Sequence, residues 1–412
     1  MCRVWSAGGI VRIVRDRRRA LKPLAPSEAL AANSEFQIRI DHDLDEASRP
    51  WAELEKHATA FQTRSWLSPW YRIVAPSIRA APLFVTVLDQ RSRPLAFFPL
   101  CIRLRWGVSV LEFPDHGVSD YNTPIVAPGG LTDEQADRVW IAIRAALPRI
   151  DLVHIDKMPG SYFERPNPFA SFDWLRPMEM RCWNFQLPAT RADFDARLKK
   201  KDRKEQRRKR RNLVDALGDA RLVHAMSEIE RRRFFETLRL QRAMRFKDQR
   251  RRDILQDPLL LRFYETVISG AADGFVALSA LDAGSCSPAT LLALRNGDTY
   301  YLIMHSFDIS HEHLSPGIVA LDEMMSHLIA TGTAICDFTI GNEPYKRQFG
   351  VEERLLYRGF DPITPRGRLV ARTLTLMQQI ETNLVRARRD YLARRDGDAA
   401  AAPTAGSGAT GD

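Results

Sequence analysis

Cysteine is sparse in this chain, with five in 412 residues: Cys2, Cys101, Cys182, Cys286 and Cys336. The set is odd in number, scattered and without a Cys-x-x-Cys pair. That excludes a disulfide frame and a thiolate zinc site, and it fits reduced, mostly buried thiols in a cytoplasmic protein. Long apolar runs are missing too, and no stretch reaches the ~18 residues that a membrane-spanning helix needs. Arg12, Arg15, Arg17, Arg18 and Arg19 crowd the N-terminus, but no apolar segment of signal-peptide length follows them, so secretion is not expected. Acidic residues are outnumbered, 51 Asp and Glu against 61 Lys and Arg, for a formal net charge of +10. An excess of that sign points to an anionic partner such as a phosphate-rich small molecule, phospholipid or nucleic acid.

A hydrophobic fraction of 45% and a charged fraction of 27% are globular values. The length suits two domains and a tail. The richest stretch is Thr299–Gly350. Thr299–Met304 is strong in β-formers, and Ser315-Pro316-Gly317 then reads as a helix start, with an N-cap hydroxyl followed by a proline at the first helical position. Ile318, Leu321, Met325 and Leu328 line one face of that helix, and Gly332 stops it. In the following strand, Ala334–Ile340, Asp337 points to the face opposite Phe338. A small-residue helix start just after a strand is a place where backbone amides hold a phosphate.

Residues 1–34 are basic, then Ala/Pro/Ser-rich, and are expected to be flexible. Phe36–Ile40 reads as a strand and Asp45–His57 as a helix. Phe61–Val74 holds three large aromatics around a helix start at Ser68-Pro69, which core packing explains best. Strands are expected at Leu83–Leu88, Leu95–Ile102 and Val108–Phe113. The loop DHGVSDYNTPIVAPGG then leads to a helix at Thr132–Leu147, capped by Thr132 and Gln135, and to a strand at Asp151–Asp156. The second half repeats this order. After helices at Ser227–Arg245 and Pro258–Ser269 come strands Phe275–Leu281, Ala289–Arg295 and Thr299–His305, the last two joined by the hairpin signal Asn296-Gly297. The helix Pro316–Thr331, the strand Ala334–Ile340 and an edge strand Leu355–Phe360 complete it. Two copies of one α/β layer unit are more economical than two unrelated domains. The expected division is an N-terminal domain 35–190, a C-terminal domain 191–365, a basic helix 366–395 and a disordered tail 396–412.

From Arg197 to Arg211, eleven of fifteen residues are Lys or Arg, against Asp202 and Glu205. No apolar stripe persists there, so the helix is expected to bury no face. Like charges at i,i+4, such as Arg203 with Arg207 and Lys204 with Arg208, repel. An anion near Arg207, Arg208 and Arg211 would relieve that repulsion. The candidates are ligand or acceptor phosphates, tRNA and an anionic membrane surface.

The basic helix KKKDRKEQRRKRRNL, the helix start SPG and the segment DFTIGNEPYK, with FQTRSWLSPW and SDYNTP in the first half, resemble the CelD-like acetyltransferases. That family belongs to the GNAT superfamily, is linked to cellulose and exopolysaccharide synthesis, and is similar to the tandem-GNAT FemAB transferases. The resemblance covers roughly residues 36–365. It implies two tandem GNAT-like mixed-sheet domains with flanking helices, and acyl transfer from acyl-CoA, acetyl-CoA first, to an amine or hydroxyl of a glycan-type or lipid-linked acceptor. The chain departs from the wider GNAT pattern in lacking an Arg/Gln-x-x-Gly-x-Gly/Ala loop, and HEHLSPG stands in its place.

Such a transfer needs anchored phosphates, an oxyanion donor, a base and a proton for the leaving thiolate. The amides around Ser315, Pro316, Gly317 and Ile318 are expected to hold the donor. Adjacent strand ends would bring His305 and Asp337 to one cleft as candidate bases. Tyr345 follows as a proton donor and Lys346 as a holder of phosphate or acceptor. Asp120 and Tyr121 in the first-half loop would touch the acceptor. His311 and His313 lack a third ligand, so no metal is expected, and no DNA partner is expected. Two alternatives stay open: a FemAB-like transferase using aminoacyl-tRNA, and a non-catalytic GNAT-fold binding protein in polysaccharide assembly.

Overall fold

The computed structural model describes residues 35–400 except 163–164, 271–273 and 285. The flexible segment expected over 1–34 and residues 401–412 of the tail expected over 396–412 lie outside the described residues, whereas 396–400 are helical, contrary to expectation. The first half opens with β1 (Gln37–Asp41), α1 (Leu44–Leu54), α2 (Arg64–Pro69) and α3 (Ala75–Ser77). Strands β2 (Ala81–Leu88), β3 (Pro94–Arg105), β4 (Val108–Glu112) and β5 (Ile125–Val126) precede α4 (Asp133–Ala146) and β6 (Leu152–Pro159). A separate ribbon of β7 (Ser161–Tyr162) and β8 (Arg165–Pro166) leads to β9 (Leu175–Gln186). The second half starts with α5 (Arg191–Arg197), α6 (Lys200–Leu217), β10 (Arg221–His224), α7 (Glu228–Asp248) and α8 (Pro258–Gly270). Strands β11 (Val276–Asp282), β12 (Ala289–Asn296) and β13 (Thr299–Phe307) follow, then α9 (Pro316–Ala330) and β14 (Ile335–Ile340). β15 (Glu352–Pro362) and α10 (Pro365–Ala400) close the described chain.

One mixed sheet runs in the order β1-β2-β3-β4-β6-β15-β9-β14-β13-β12-β11-β10, with β5 attached to β3. This is the mixed α/β architecture expected, and the unit of three strands, helix and strand occurs twice. α4 connects β4 to the parallel β6, and α9 connects β13 to the parallel β14. The capping box of Thr132 and Gln135 is present on α4.

Two strands depart from expectation. Leu355–Phe360 is not an edge, because β15 lies mid-sheet, antiparallel to both β6 and β9. Its first residues, Glu352 and Glu353, are exposed, which gives a central strand the polar look of a rim. β9, whose sequence LRPMEMRCWNFQ has no clean alternation, pairs with β14. The halves thus exchange closing strands. β15 completes the first-half sheet and β9 completes the second, so neither half has its full sheet without the other.

The aromatic helix starts at Arg64 rather than at Ser68-Pro69. Pro69 sits inside it, and the following turn, Trp70–Val74, widens to π geometry. A ring without an N–H leaves an α-helical bond unmade there. Trp51, Trp66 and Trp70 are core residues, each at most 1% exposed. Trp66 of α2 meets Phe263 and Tyr264 of α8 edge-on, at 4.9 and 5.8 Å. This packing ties the two halves together on one side of the sheet.

The basic helix α6 does bury a face, contrary to expectation. Gln206 and Leu213 are buried, and the Gln206 amide donates to the Gln348 carbonyl at 3.2 Å. Arg210 pairs with Glu323 of α9. Two buried positions spaced by seven residues among so many bases are too few to register as a stripe.

Candidate functional site

β13 and β14 pair only through Thr299–Tyr301 and Ile335–Asp337. Beyond that, β13 continues to Phe307 on β12, while β14 swerves away. Thr339 has φ 54°, and the pairing of β14 with β9 slips between Asp337 and Ile340. A β-branched residue with positive φ is strained, and such strain persists only where surroundings impose it. Here the Thr339 N–H donates to Asp337 Oδ1 at 2.7 Å and its hydroxyl donates to the Leu302 carbonyl at 3.1 Å. The parted strands leave the outer edge of β13 without a strand partner.

Alternation along β14 sends Cys336 and Phe338 into the core under α9, and Asp337 to the other face. There the Tyr121 hydroxyl, from the first-half loop, donates to Asp337 Oδ1 at 2.8 Å, and the Asn184 amide lies 3.4 Å from Oδ2. Asp337 is 4% exposed. Burial raises its pKa to about 6, against the pull of Tyr121, Thr339, Asn184 and Lys346. Asp120, half-buried, is also raised by burial to about 6, although Lys157, the Thr339 hydroxyl and Lys346 act in the other direction. Two carboxylates poised near neutrality therefore flank the strained Thr339. A narrow crevice lined by Thr59, Tyr121, Asn184, Thr299 and Tyr301 opens beside Asp337.

His305 and Tyr345 meet at the far end of β13. The Tyr345 hydroxyl lies 3.4 Å from His305 Nδ1. Burial, with the charges of Arg245, Lys346 and Arg242, lowers the His305 pKa to about 3. An imidazole this weakly basic stays neutral near pH 7 and is ill-matched to the base role expected of it. Its contact suits it to orienting Tyr345. Burial keeps the Tyr345 phenol protonated well above the usual tyrosine range, so it is available as a proton donor.

Several expectations need correction. The Ser315 hydroxyl caps nothing, because Ser315 adopts a left-handed conformation, φ 54° and ψ 47°. Its N–H donates to the Glu312 carbonyl, and Ile318 N–H donates to the Ser315 carbonyl. Pro316 has no N–H and is buried, which leaves the Gly317 amide as the one without a partner among the described residues. Gly317 is tightly placed: a Cβ there would lie 3.2 Å from the Phe307 ring, which would have to shift to admit it. The turn is thus not an open cradle of four amides. Lys346 is 2% exposed, and its ammonium is held by the Ile340 carbonyl at 2.8 Å and by Glu343 at 3.1 Å. A buried ammonium needs such partners, so Lys346 acts as a fixed charge beside the carboxylates and is not a free phosphate ligand. Arg208 pairs with Glu205 of its own helix, Arg207 reaches Asp195 at 3.6 Å, and Arg211 is exposed. Among the described residues, none of the three is linked by a hydrogen bond or ion pair to the Asp337 or His305 clusters. His311 instead lies 3.5 Å from Asp308.

One residue escaped the sequence reading. Arg245, near the C-terminal end of α7, is half-buried with no ion pair among the described residues, and its Nε has no hydrogen-bond partner. Its guanidinium lies 5.2 Å from the Phe307 ring, whose other contacts include the Gly317 position. Burial, then neighbouring Arg242, lowers its pKa. In a helix with six arginines from Arg231 to Arg245 and none marked by a motif, nothing distinguishes this one.

The arrangement holds an unpaired strand edge, a lone guanidinium and one free amide at its rim, and two tuned carboxylates behind. Residues 200–347 match the acetyltransferase (GNAT) domain family. The match runs from α6 to the turn carrying Tyr345 and Lys346, so the parted strands lie inside the matched region. It supports an acyltransferase. No curated protein matches the chain. Among solved structures, FemX shares the fold at a TM-score of 0.53 and 9% identity, over 77% of this chain and 96% of that one. A tandem GNAT protein from the clavulanic acid biosynthesis pathway aligns at 0.43 and 14%, over 80% and 99%. L-PGS from Bacillus licheniformis aligns at 0.45 and 10%, over 81% and 97%.

Proposed function

We propose that the chain transfers an acyl group from acyl-CoA, acetyl-CoA first, to an amine or hydroxyl on a sugar or glycan precursor. The observation that carries this reading is the parting of β13 and β14 after Tyr301 and Asp337. An unpaired strand edge accepts the amides of an extended ligand as it would accept another strand, and the opening leads towards the carboxylates. Gly317 N–H and Arg245 would hold the donor's phosphates at the rim, in place of the fuller set of amides the sequence suggested. Asp120 takes the proton from the attacking amine or hydroxyl, as the half-exposed member of the carboxylate pair. Asp337 fixes Tyr121 and Thr339 around the site. The nucleophile adds to the thioester carbonyl, the C–S bond breaks, and Tyr345 gives its proton to the leaving sulfur.

Titration calorimetry with coenzyme A tests the donor: binding at millimolar ligand or below is expected, and no heat would count against the reading. Gly317→Val places bulk against Phe307 and is expected to weaken coenzyme A binding at least about tenfold, ~1.4 kcal/mol. Tyr345→Phe is expected to lower kcat only about tenfold, because a thiolate of reference pKa ~8.5 leaves readily. Steady-state release of free thiol reads that change.

A second reading has its own support. Lys200, Lys201, Arg203, Lys204 and Arg211 of α6 make no ion pair among the described residues, and such a row suits aminoacyl-tRNA as the donor. It requires tRNA binding that weakens steeply with salt. Under the first reading, filter binding shows no such complex at physiological ionic strength.

A further inference from the structure

The first half repeats the opening of the second. β4 and β6 pair in parallel only at Val110–Glu112 with Leu152–His154, and beyond Glu112 and His154 they part, as β13 and β14 do. The space between them is a pocket of about 250 Å³, lined by Arg103, Arg105, Asp115, His116, Asn122 and Asp156 among others. Its chemistry differs from that of the second-half opening. Glu112 at its floor is 7% exposed and clamped by Arg103 and Arg105. Burial would raise its pKa, but His154, Arg105 and Arg103 hold it down to about 2, so two guanidinium groups share this one carboxylate.

The pocket also holds unspent hydrogen-bond acceptors. Asn122 is 3% exposed. Its amide nitrogen donates to Asp115 Oδ2 at 3.3 Å and to the Asp156 carbonyl at 3.0 Å, while its Oδ1 has no partner. The Asp156 carboxylate is half-buried and makes no hydrogen bond or ion pair among the described residues. A buried acceptor without a donor costs stability unless a ligand or water supplies one. A phosphate dianion offers a single donor and would be repelled by Asp156, whereas Asp115 is paired with the Lys157 ammonium at 2.7 Å. A ring rich in hydroxyl groups offers several. The Trp106 ring lies 5.7 Å from that of His154 and carries the Arg105 guanidinium 4.1 Å from its centre, which fixes Arg105 beside the pocket.

The same loop serves both openings. Asp115, His116, Gly117 and Asn122 line this pocket, while Asp120 and Tyr121 between them reach Thr339 and Asp337. A ligand seated here therefore lies against the back of the segment that carries the proposed base.

We propose that the opening between β4 and β6 binds a pyranose unit of the acceptor, at a distance from the atom that is acylated, with Asn122 Oδ1 and Asp156 receiving its hydroxyl donors. The assignment of this ring to the acceptor rests on the acyl-transfer reading, whereas its binding does not.

Glucose and cellobiose are the probes, followed by ligand-observed NMR and calorimetry on the full chain. Saturable binding is expected in the wild type. Asp156→Ala and Asn122→Ala are each expected to weaken it at least about tenfold, with coenzyme A binding unchanged. Asn122 also braces its loop, so thermal melting accompanies that variant. If it does not fold, Asp156→Ala, whose side chain supports nothing, decides alone. No saturable binding of either sugar, or affinity unchanged in Asp156→Ala, overturns the proposal. If sugars bind as expected but coenzyme A does not, the pocket stands and the acyl-CoA reading falls. If coenzyme A binds and the sugars do not, the reverse holds.

Discussion

Asp120→Asn is expected to lower kcat by about 10²- to 10⁴-fold, the usual worth of a positioned general base. The change keeps the size of a half-buried side chain that hydrogen-bonds Thr339, so the fold should hold. In the wild type, burial raises the Asp120 pKa to about 6. The base is the ionised form, so kcat should fall as pH drops through about 6 and level off above it. In Asp120→Asn the residual rate should lose that inflection. Free-thiol release measured from pH 5 to about 8 checks both statements. Full activity in the variant, or an unchanged profile, would remove Asp120 from the mechanism.

Stability should move the opposite way with pH. Asp120 and Asp337 both have native pKa values of about 6, above the unfolded carboxylate value of ~3.9. The folded chain therefore holds more protons between those values. The contribution of each group is fully present below pH ~4 and is lost as pH rises through about 6. The site is thus most active where its own carboxylates stabilise the fold least.

Trp66→Ala is expected to cost about 3–5 kcal/mol of stability, the range for deleting a large buried aromatic. Trp66 has no exposed surface and sits edge-on to Phe61 at 5.6 Å and Phe263 at 4.9 Å. Its indole N–H donates to the Ser119 hydroxyl at 3.1 Å, one residue before Asp120. The loss therefore opens a cavity between α2 and α8 and unpins the loop that carries the base. Urea unfolding should show the lower midpoint, and kcat should drop alongside it. A loss below about 1 kcal/mol would mean that the halves are not held together here.

Much of the layer order was legible because it rests on local rules. Strand alternation, the Thr132 capping box and the Asn296-Gly297 hairpin each depend on neighbours a few residues apart. The exchange of β9 and β15 was not legible. Arg176–Met178 and Glu352–Arg354 look like surface chain, and only pairing across more than 150 residues makes them central. The same limit applies at the site. Asp337 was marked by its place on β14, and Tyr121 by its loop, but their hydrogen bond spans 216 positions. The positive φ of Thr339 is held by its bonds to Asp337 Oδ1 and to the Leu302 carbonyl, 37 positions away, and reflects no residue preference. Ser315 misled for a related reason: the Ser-Pro-Gly order favours a capped start, whereas the preceding 3-10 turn Ile309–Leu314 delivers the chain in a left-handed conformation.

A crystal structure of the chain with coenzyme A tests the central claim most directly. The pantetheine arm should lie along the free edge of β13 beyond Tyr301, with the phosphates near Gly317 and Arg245. Coenzyme bound elsewhere, or β13 and β14 zipped together with no ligand between them at saturating concentration, would contradict it.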